Sequence, residues 1–222
     1  MNYNPIIVAL DVPTKEKALC ILQELKGHVS NIKIGPVLFT RCGPDIVREA
    51  QRMGMDVFLD LKLYDIPNTV ASTVTAMCEL GIKFFTVHIS GGRDMLRAAV
   101  ESLKDVKPRP NILGVTVLTS VAGADKEEII ELAKMAKETC LSGVISSPLE
   151  IKDIRNEVGK DFLIVTPGIR PSGSDTGDQK RIATPKSAIS DGADYIVVGR
   201  PIIDAPKPVE VVKQILSEIS SL

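Results

Sequence analysis

Short apolar runs rich in Val, Ile and Phe recur along the chain, separated by segments in which apolar residues return every three or four positions. Eight such runs fall at 6–11, 31–35, 57–62, 84–88, 112–118, 143–146, 162–166 and 195–199. Each has strand length and is almost continuously apolar, as expected of a parallel strand covered on both faces. The segments between them carry helix punctuation. Thr14 is placed to cap a helix with Ala18, Leu22 and Leu25 on one face, stopped at Gly27. Asn68 precedes Val70, Val74 and Met77, with Gly81 as the stop. Asp125 opens a capping-box pattern ahead of Ile129, Leu132, Ala133 and Ala136. Strand–helix units with one helix each predict an α/β fold, a closed (β/α)8 barrel of the TIM type. The competing arrangement, an open doubly wound sheet, lacks its Gly-x-Gly-x-x-Gly turn after the first strand.

No linker divides the 222 residues, so the chain reads as a single domain over 1–222. A net charge of -1 with both signs interspersed leaves no basic face for nucleic acid or anionic membrane. No apolar run approaches the roughly 20 residues of a membrane span. Met1-Asn2-Tyr3-Asn4-Pro5 lacks a signal-peptide pattern, and a soluble cytoplasmic protein is expected. Cys20, Cys42, Cys78 and Cys140 are too widely spaced for a metal or redox pair and are expected as small buried hydrophobes.

In a barrel, functional groups gather where strands end. Polar residues stand at those places: Asp11, Lys33, Asp60 with Lys62, His88, Thr119 with Ser120, Pro167-Gly168 and Gly199-Arg200. The third run is the most informative. Alternation puts Phe58, Asp60 and Lys62 on one face, and Val57, Leu59, Leu61 and Leu63 on the other. Buried charges are costly unless paired or used, so Asp60 and Lys62 read as a reactive pair rather than a solvated salt bridge. Asp65 lies past the strand end, before Ile66-Pro67, where the chain must turn.

Two further segments point to phosphate. Thr166-Pro167-Gly168-Ile169-Arg170 and Val197-Val198-Gly199-Arg200 end the seventh and eighth runs, where barrels often hold this anion. Glycine admits close backbone approach, and arginine supplies a forked, charge-assisted donor. The polar stretch 170–184 is long for a strand-to-helix connection and reads as a lid. His28 is expected in a solvated turn, and His88 in a structural hydrogen-bonding role, since it lacks partners at metal-ligand spacing.

These segments, in this order and spacing, resemble the orotidine 5'-phosphate decarboxylase family along essentially the whole chain. The resemblance rests on Val8-Ala9-Leu10-Asp11, Ile32-Lys33-Ile34-Gly35, the stretch 58–69, Val87-His88-Ile89-Ser90-Gly91-Gly92, Leu118-Thr119-Ser120, the stretch 166–171 and Gly177-Asp178-Gln179-Lys180-Arg181. It implies decarboxylation of orotidine 5'-monophosphate to uridine 5'-monophosphate in pyrimidine biosynthesis, by a homodimer with active sites at the subunit interface and without metal or cofactor. It implies that Lys33, Asp60, Lys62 and Asp65 form a charged catalytic network, with Lys62 as proton donor. Asp11 would bind the ribose hydroxyls, Lys33 would begin the network and also touch substrate, and Thr119 or Ser120 would contact the pyrimidine. Pro167, Arg170, Gln179, Gly199 and Arg200 would bind the phosphate end. Asp65, Ile66 and Thr69 would reach the partner subunit's site.

The chemistry suits such an array. Losing carbon dioxide from a ring carbon leaves an electron pair there, and a fixed ammonium both stabilises it and supplies the proton. The alternative on the same barrel is a metal-dependent sugar-phosphate decarboxylase working through an enediolate. Its branch carries an acid where this chain has Lys33. A non-catalytic nucleotide-binding barrel would have no use for a buried charged array.

Overall fold

A computed structural model describes residues 4–118, 124–171 and 181–221. Eight parallel strands close a barrel in sequence order. They are β1 (Ile6–Ala9), β2 (Asn31–Ile34), β3 (Asp56–Leu63), β4 (Phe84–His88), β5 (Asn111–Val115), β6 (Gly143–Ile145), β7 (Leu163–Thr166) and β8 (Tyr195–Val198). β8 pairs with β1, Val8 lying opposite Val198, so the sheet has no free edge. The predicted barrel is the observed one.

Helices cover the outside: α1 (Lys15–Leu25), α2 (Pro36–Cys42), α3 (Asp45–Arg52), α4 (Pro67–Cys78), α5 (Gly92–Glu101), α6 (Lys126–Glu138), α7 (Ile151–Val158), α8 (Pro185–Ser190), α9 (Arg200–Ile203) and α10 (Pro208–Ser220). The expectation of one helix per unit fails after β2 and after β8, each of which is followed by two. After β2 the break falls at Gly43-Pro44, where Gly43 takes φ 59° and Pro44 has no amide to continue the ladder. The Thr14 cap is present, accepting from the Lys17 amide at 3.2 Å. Asp125 caps α6 through the Glu127 amide at 3.0 Å. Asn68 does not cap α4. Pro67 starts that helix, as its fixed φ and missing N–H favour, and Ile66 is the flanking residue.

The strands divide the core into two. Outward side chains such as Val8, Ile32, Leu59, Phe85 and Val144 pack beneath the helices. Inward ones, Ile7, Ala9, Phe58, Phe84, Leu113, Val165 and Val197, fill the barrel. Phe84 meets Phe58 and Tyr195 edge-on, with ring centroids 5.9 and 5.3 Å apart, and these rings plug the interior below the strand ends.

The cysteines depart from expectation. Cys20 and Cys140 are exposed, and Cys42 and Cys78 are only partly buried. On α1 the buried face is Ala18, Ile21, Leu22 and Leu25, which turns Cys20 outward. Cys140 follows α6 with a left-handed φ of 63°, a helix-terminating position rather than a core one. No described helix is long and apolar enough to cross a membrane.

Candidate active site

The site forms where β3 breaks its ladder with β4. Leu59 lies opposite Phe85, and the next paired residues are Leu63 and Val87, so Asp60, Leu61 and Lys62 together face Thr86. This bulge turns Lys62 into the left-handed region at φ 52°, one of two non-glycine residues there among the described ones. The Lys62 amide donates to Thr86 Oγ1 at 2.9 Å. Its ammonium donates to Asp60 Oδ1 and Oδ2, both at 2.8 Å. Asp60 is 7 % exposed. It also accepts from Thr86 Oγ1 at 2.9 Å and lies 3.5 Å from Lys33 Nζ. Lys33 Nζ in turn donates to Asp11 Oδ1 at 3.1 Å.

The result is an alternating line, Asp11–Lys33–Asp60–Lys62, drawn from β2, β3 and the end of β1. Burial pushes the Asp60 carboxyl up, but the Lys33 and Lys62 charges and the hydrogen bonds from Lys62 and Thr86 outweigh it, holding Asp60 below its ordinary value. Asp60 is therefore an anion with a lysine on either side. His88 is pushed down by burial and by the Lys62 charge, against the opposing pull of Asp60. Its ring meets Tyr64 edge-on at 5.8 Å, a ring contact where a hydrogen-bonding role had been expected.

The charged line forms one side of a cavity of about 420 Å³. Val115, Val117, Leu118 and Ile145 supply an apolar wall, with Phe58 at the base. Pro167, Arg170, Gly199 and Arg200 line the same cavity. Gly168 turns the chain out of β7 with φ 79°. Arg170 is 9 % exposed, and its guanidinium donates to the Ile169 carbonyl at 2.9 Å. The two sides of the 170–184 stretch are pinned together, the Arg170 amide donating to the Ala183 carbonyl at 2.9 Å. Arg181 is anchored to the buried Glu150, behind β6.

Asp11, Lys33, Asp60, Lys62, Pro167, Arg170, Gly199 and Arg200 are thus brought to one cavity, as the sequence suggests. Asp65, Ile66 and Thr69 are not. Asp65 Oδ1 accepts from the Ile66 amide at 2.7 Å, and both residues line a shallow surface depression with Tyr64, Pro67 and Gly91. Thr69 is exposed on the first turn of α4. Thr119, Ser120 and Gln179 lie outside the described residues.

Sequence reasoning missed the apolar wall and Thr86. The wall had a signal in the inward alternation of β5 and β6. Thr86 had a sharper one, as the polar residue inside the apolar run Phe84-Phe85-Thr86-Val87.

Comparison with known proteins finds similarity along nearly the whole chain. The model of the orotidine 5'-phosphate decarboxylase / HUMPS family matches residues 4–215. An orotidine 5'-phosphate decarboxylase of Syntrophomonas wolfei is 46% identical, over 96% of this chain and 97% of its own. One from Dictyoglomus turgidum is 44% identical, over 100% and 97%. The crystal structure of orotidine 5'-phosphate decarboxylase from Lactobacillus acidophilus superposes with a TM-score of 0.86 at 40% identity, covering 97% of this chain and 99% of that one.

Proposed function

The chain belongs to the orotidine 5'-phosphate decarboxylase / HUMPS family, and we propose that it converts orotidine 5'-monophosphate to uridine 5'-monophosphate and carbon dioxide. The observation that carries the reading is the alternating line Asp11–Lys33–Asp60–Lys62 facing an apolar wall, with two arginines in the same cavity.

In this reading Arg170, Arg200 and the Gly199 turn take the phosphate, with Gln179 from the segment between them. Asp11 takes the ribose hydroxyls, Lys33 ties it to Asp60 at the substrate's edge, and Thr119 or Ser120 meets the pyrimidine. The C6–carboxylate bond breaks with its electron pair left on C6. The Lys62 ammonium, paired with Asp60, stabilises that electron pair and then gives it a proton, forming the C6–H bond; Lys62 regains its proton from solvent. Asp60 lies beside the departing carboxylate. Two like charges about 4 Å apart repel by roughly 4 kcal/mol at an effective dielectric near 20, and departure relieves this. No metal or cofactor enters the scheme.

Asp65, Ile66 and Thr69 would serve a second copy of the chain, making the enzyme a homodimer. In support, Tyr64 and Ile66 are 64% and 66% exposed, an apolar surface at the rim of the barrel mouth. A cytoplasmic place in pyrimidine biosynthesis follows from the reaction. The metal-dependent sugar-phosphate alternative is disfavoured by Lys33, whose ammonium lies between the Asp11 and Asp60 carboxylates. The test is loss of the orotate-ring absorbance when purified protein meets orotidine 5'-monophosphate in excess chelator. Sustained turnover is expected. Absence of turnover, or turnover only on adding a divalent metal, would overturn the reading.

A further inference from the structure

We propose that Thr86 is the positioning residue of the Asp60–Lys62 pair, its single hydroxyl fixing the Asp60 carboxylate and the Lys62 main chain at once. The inference rests on the decarboxylase reading for its catalytic consequence, but its geometry stands alone.

Three residues of β3 face one of β4 in the bulge, so the Lys62 amide has left the regular ladder. Thr86 Oγ1 receives that amide at 2.9 Å and stands 2.9 Å from Asp60 Oδ1. Thr86 is 0% exposed, which keeps water from taking over either bond. The direction of each bond follows from charge. An ionised Asp60 only accepts, so the Thr86 proton goes to Asp60 and the oxygen lone pair is left for the Lys62 N–H.

Lys62 therefore starts from a backbone position that Thr86 fixes and ends on a carboxylate that Thr86 also fixes. A lysine stem is flexible. Anchoring both its root and its counter-ion confines where the ammonium sits. The left-handed φ of 52° at Lys62 belongs to the same device, since such a conformation persists only where its surroundings over-determine it.

The groups facing Asp60 are Lys33 from β2, Lys62 from β3, and Thr86 and His88 from β4, with Asp11 beyond Lys33. Thr86 donates to Asp60 without carrying charge, so removing its hydroxyl changes no formal charge. The two lysines remain, and the carboxylate loses one of the bonds that favour its charged form.

The test compares Thr86→Val, which keeps the shape and deletes the hydroxyl, with Thr86→Ser, which keeps the hydroxyl. Thr86→Val should lower kcat by about 10- to 100-fold, the size of losing a hydrogen bond to a charged group, with KM within about threefold. The acid limb of its kcat/KM profile should move to higher pH, and Thr86→Ser should restore both. Carbon-13 NMR of labelled aspartate carboxyls should show Asp60 titrating at higher pH in Thr86→Val than in the parent. That measurement needs no turnover, so it separates failure of this inference from failure of the decarboxylase reading. Should Thr86→Val not fold, as judged by circular dichroism, Thr86→Cys replaces it with the same expected readings. Unchanged kcat and pH profile, or a loss that Thr86→Ser does not restore, or an unmoved Asp60 titration, would overturn the assignment.

Discussion

Lys62 Nζ stands 2.8 Å from each carboxylate oxygen of Asp60, a symmetric pairing at the edge of the cavity. Two of the three ammonium donors thus meet one anion, and Lys33 balances that anion from the other side at 3.5 Å. Asp65, by contrast, turns its carboxylate to the Ile66 amide, away from this line. The motif Asp60-Leu61-Lys62-Leu63-Tyr64-Asp65 is continuous in sequence and divided in space.

That division makes a complementation experiment decisive. Lys62→Ala should fold and bind yet keep less than about a tenth of the parental kcat, because its contribution belongs to the transition state. Asp65→Ala should be similarly impaired. Mixing the two inactive proteins and allowing subunit exchange should regenerate activity, since half of the sites in a mixed dimer carry neither lesion. Mixtures that stay inactive after exchange is verified by mass spectrometry would return Asp65 to its own subunit.

Arg200 follows Gly199 at the start of α9 and lines the cavity together with Arg170. A charge-assisted hydrogen bond contributes roughly 1.5–3 kcal/mol, so Arg200→Ala should lower kcat/KM about 10- to 100-fold. Orotidine, which lacks the phosphate, should lose kcat as well as affinity, and free phosphite should recover part of the loss in the parent but not in Arg200→Ala. Orotidine turned over as fast at saturation as its monophosphate would reduce the phosphate to a simple anchor.

Gly35 is a steric partner of the charged line. A Cβ there would lie 3.1 Å from Asp11 Oδ1 and 3.5 Å from Lys33 Nζ. Its φ of -92° suits any residue, so Gly35→Ala probes contact rather than backbone strain. Asp11 is exposed and can swing aside by giving up its surface contact with Lys33, so thermal stability should change little. The displaced carboxylate should lower kcat/KM by roughly 10-fold, about 1.4 kcal/mol. Equal losses in melting temperature and activity would contradict this account.

His88 gives the pH dependence of folding a direction. Burial and the Lys62 charge hold its folded-state value below the ordinary 6.5. As pH falls through 6.5 the unfolded chain takes up a proton at this ring and the folded chain does not, so stability is lost between 6.5 and the lower folded value. Above 6.5 the contribution is fully present. Urea midpoints measured from pH 7.5 to 5 should decline more steeply for the parent than for His88→Phe, which keeps the ring edge against Tyr64. Parallel declines would remove His88 as the cause.

The barrel was legible because the strand runs are almost continuously apolar, and the inward pair Asp60 and Lys62 could be read from a period of two. Other features depended on information that local pattern does not carry. Asn68 has the chemistry of a cap, but Pro67 before it fixes the helix start through backbone geometry. Cys20 sits among apolar residues, yet the helical phase set by Ala18, Ile21, Leu22 and Leu25 turns it to solvent. The bulge at Asp60, Leu61 and Lys62 is a mismatch between two strands, which neither strand announces by itself. Asp65 past the strand end was legible from the turn at Ile66-Pro67, and its hydrogen bond from the Ile66 amide was not.

The rings of Phe58, Phe84 and Tyr195 give the barrel a floor beneath the cavity. In the proposed reaction, a nucleotide held by Arg170 and Arg200 with its base toward that floor would release carbon dioxide beneath itself, beside Asp60. Traffic, rather than affinity, then orders the exit: either the gas slips past the uracil ring along Val115 and Ile145, or it waits for the larger product to go.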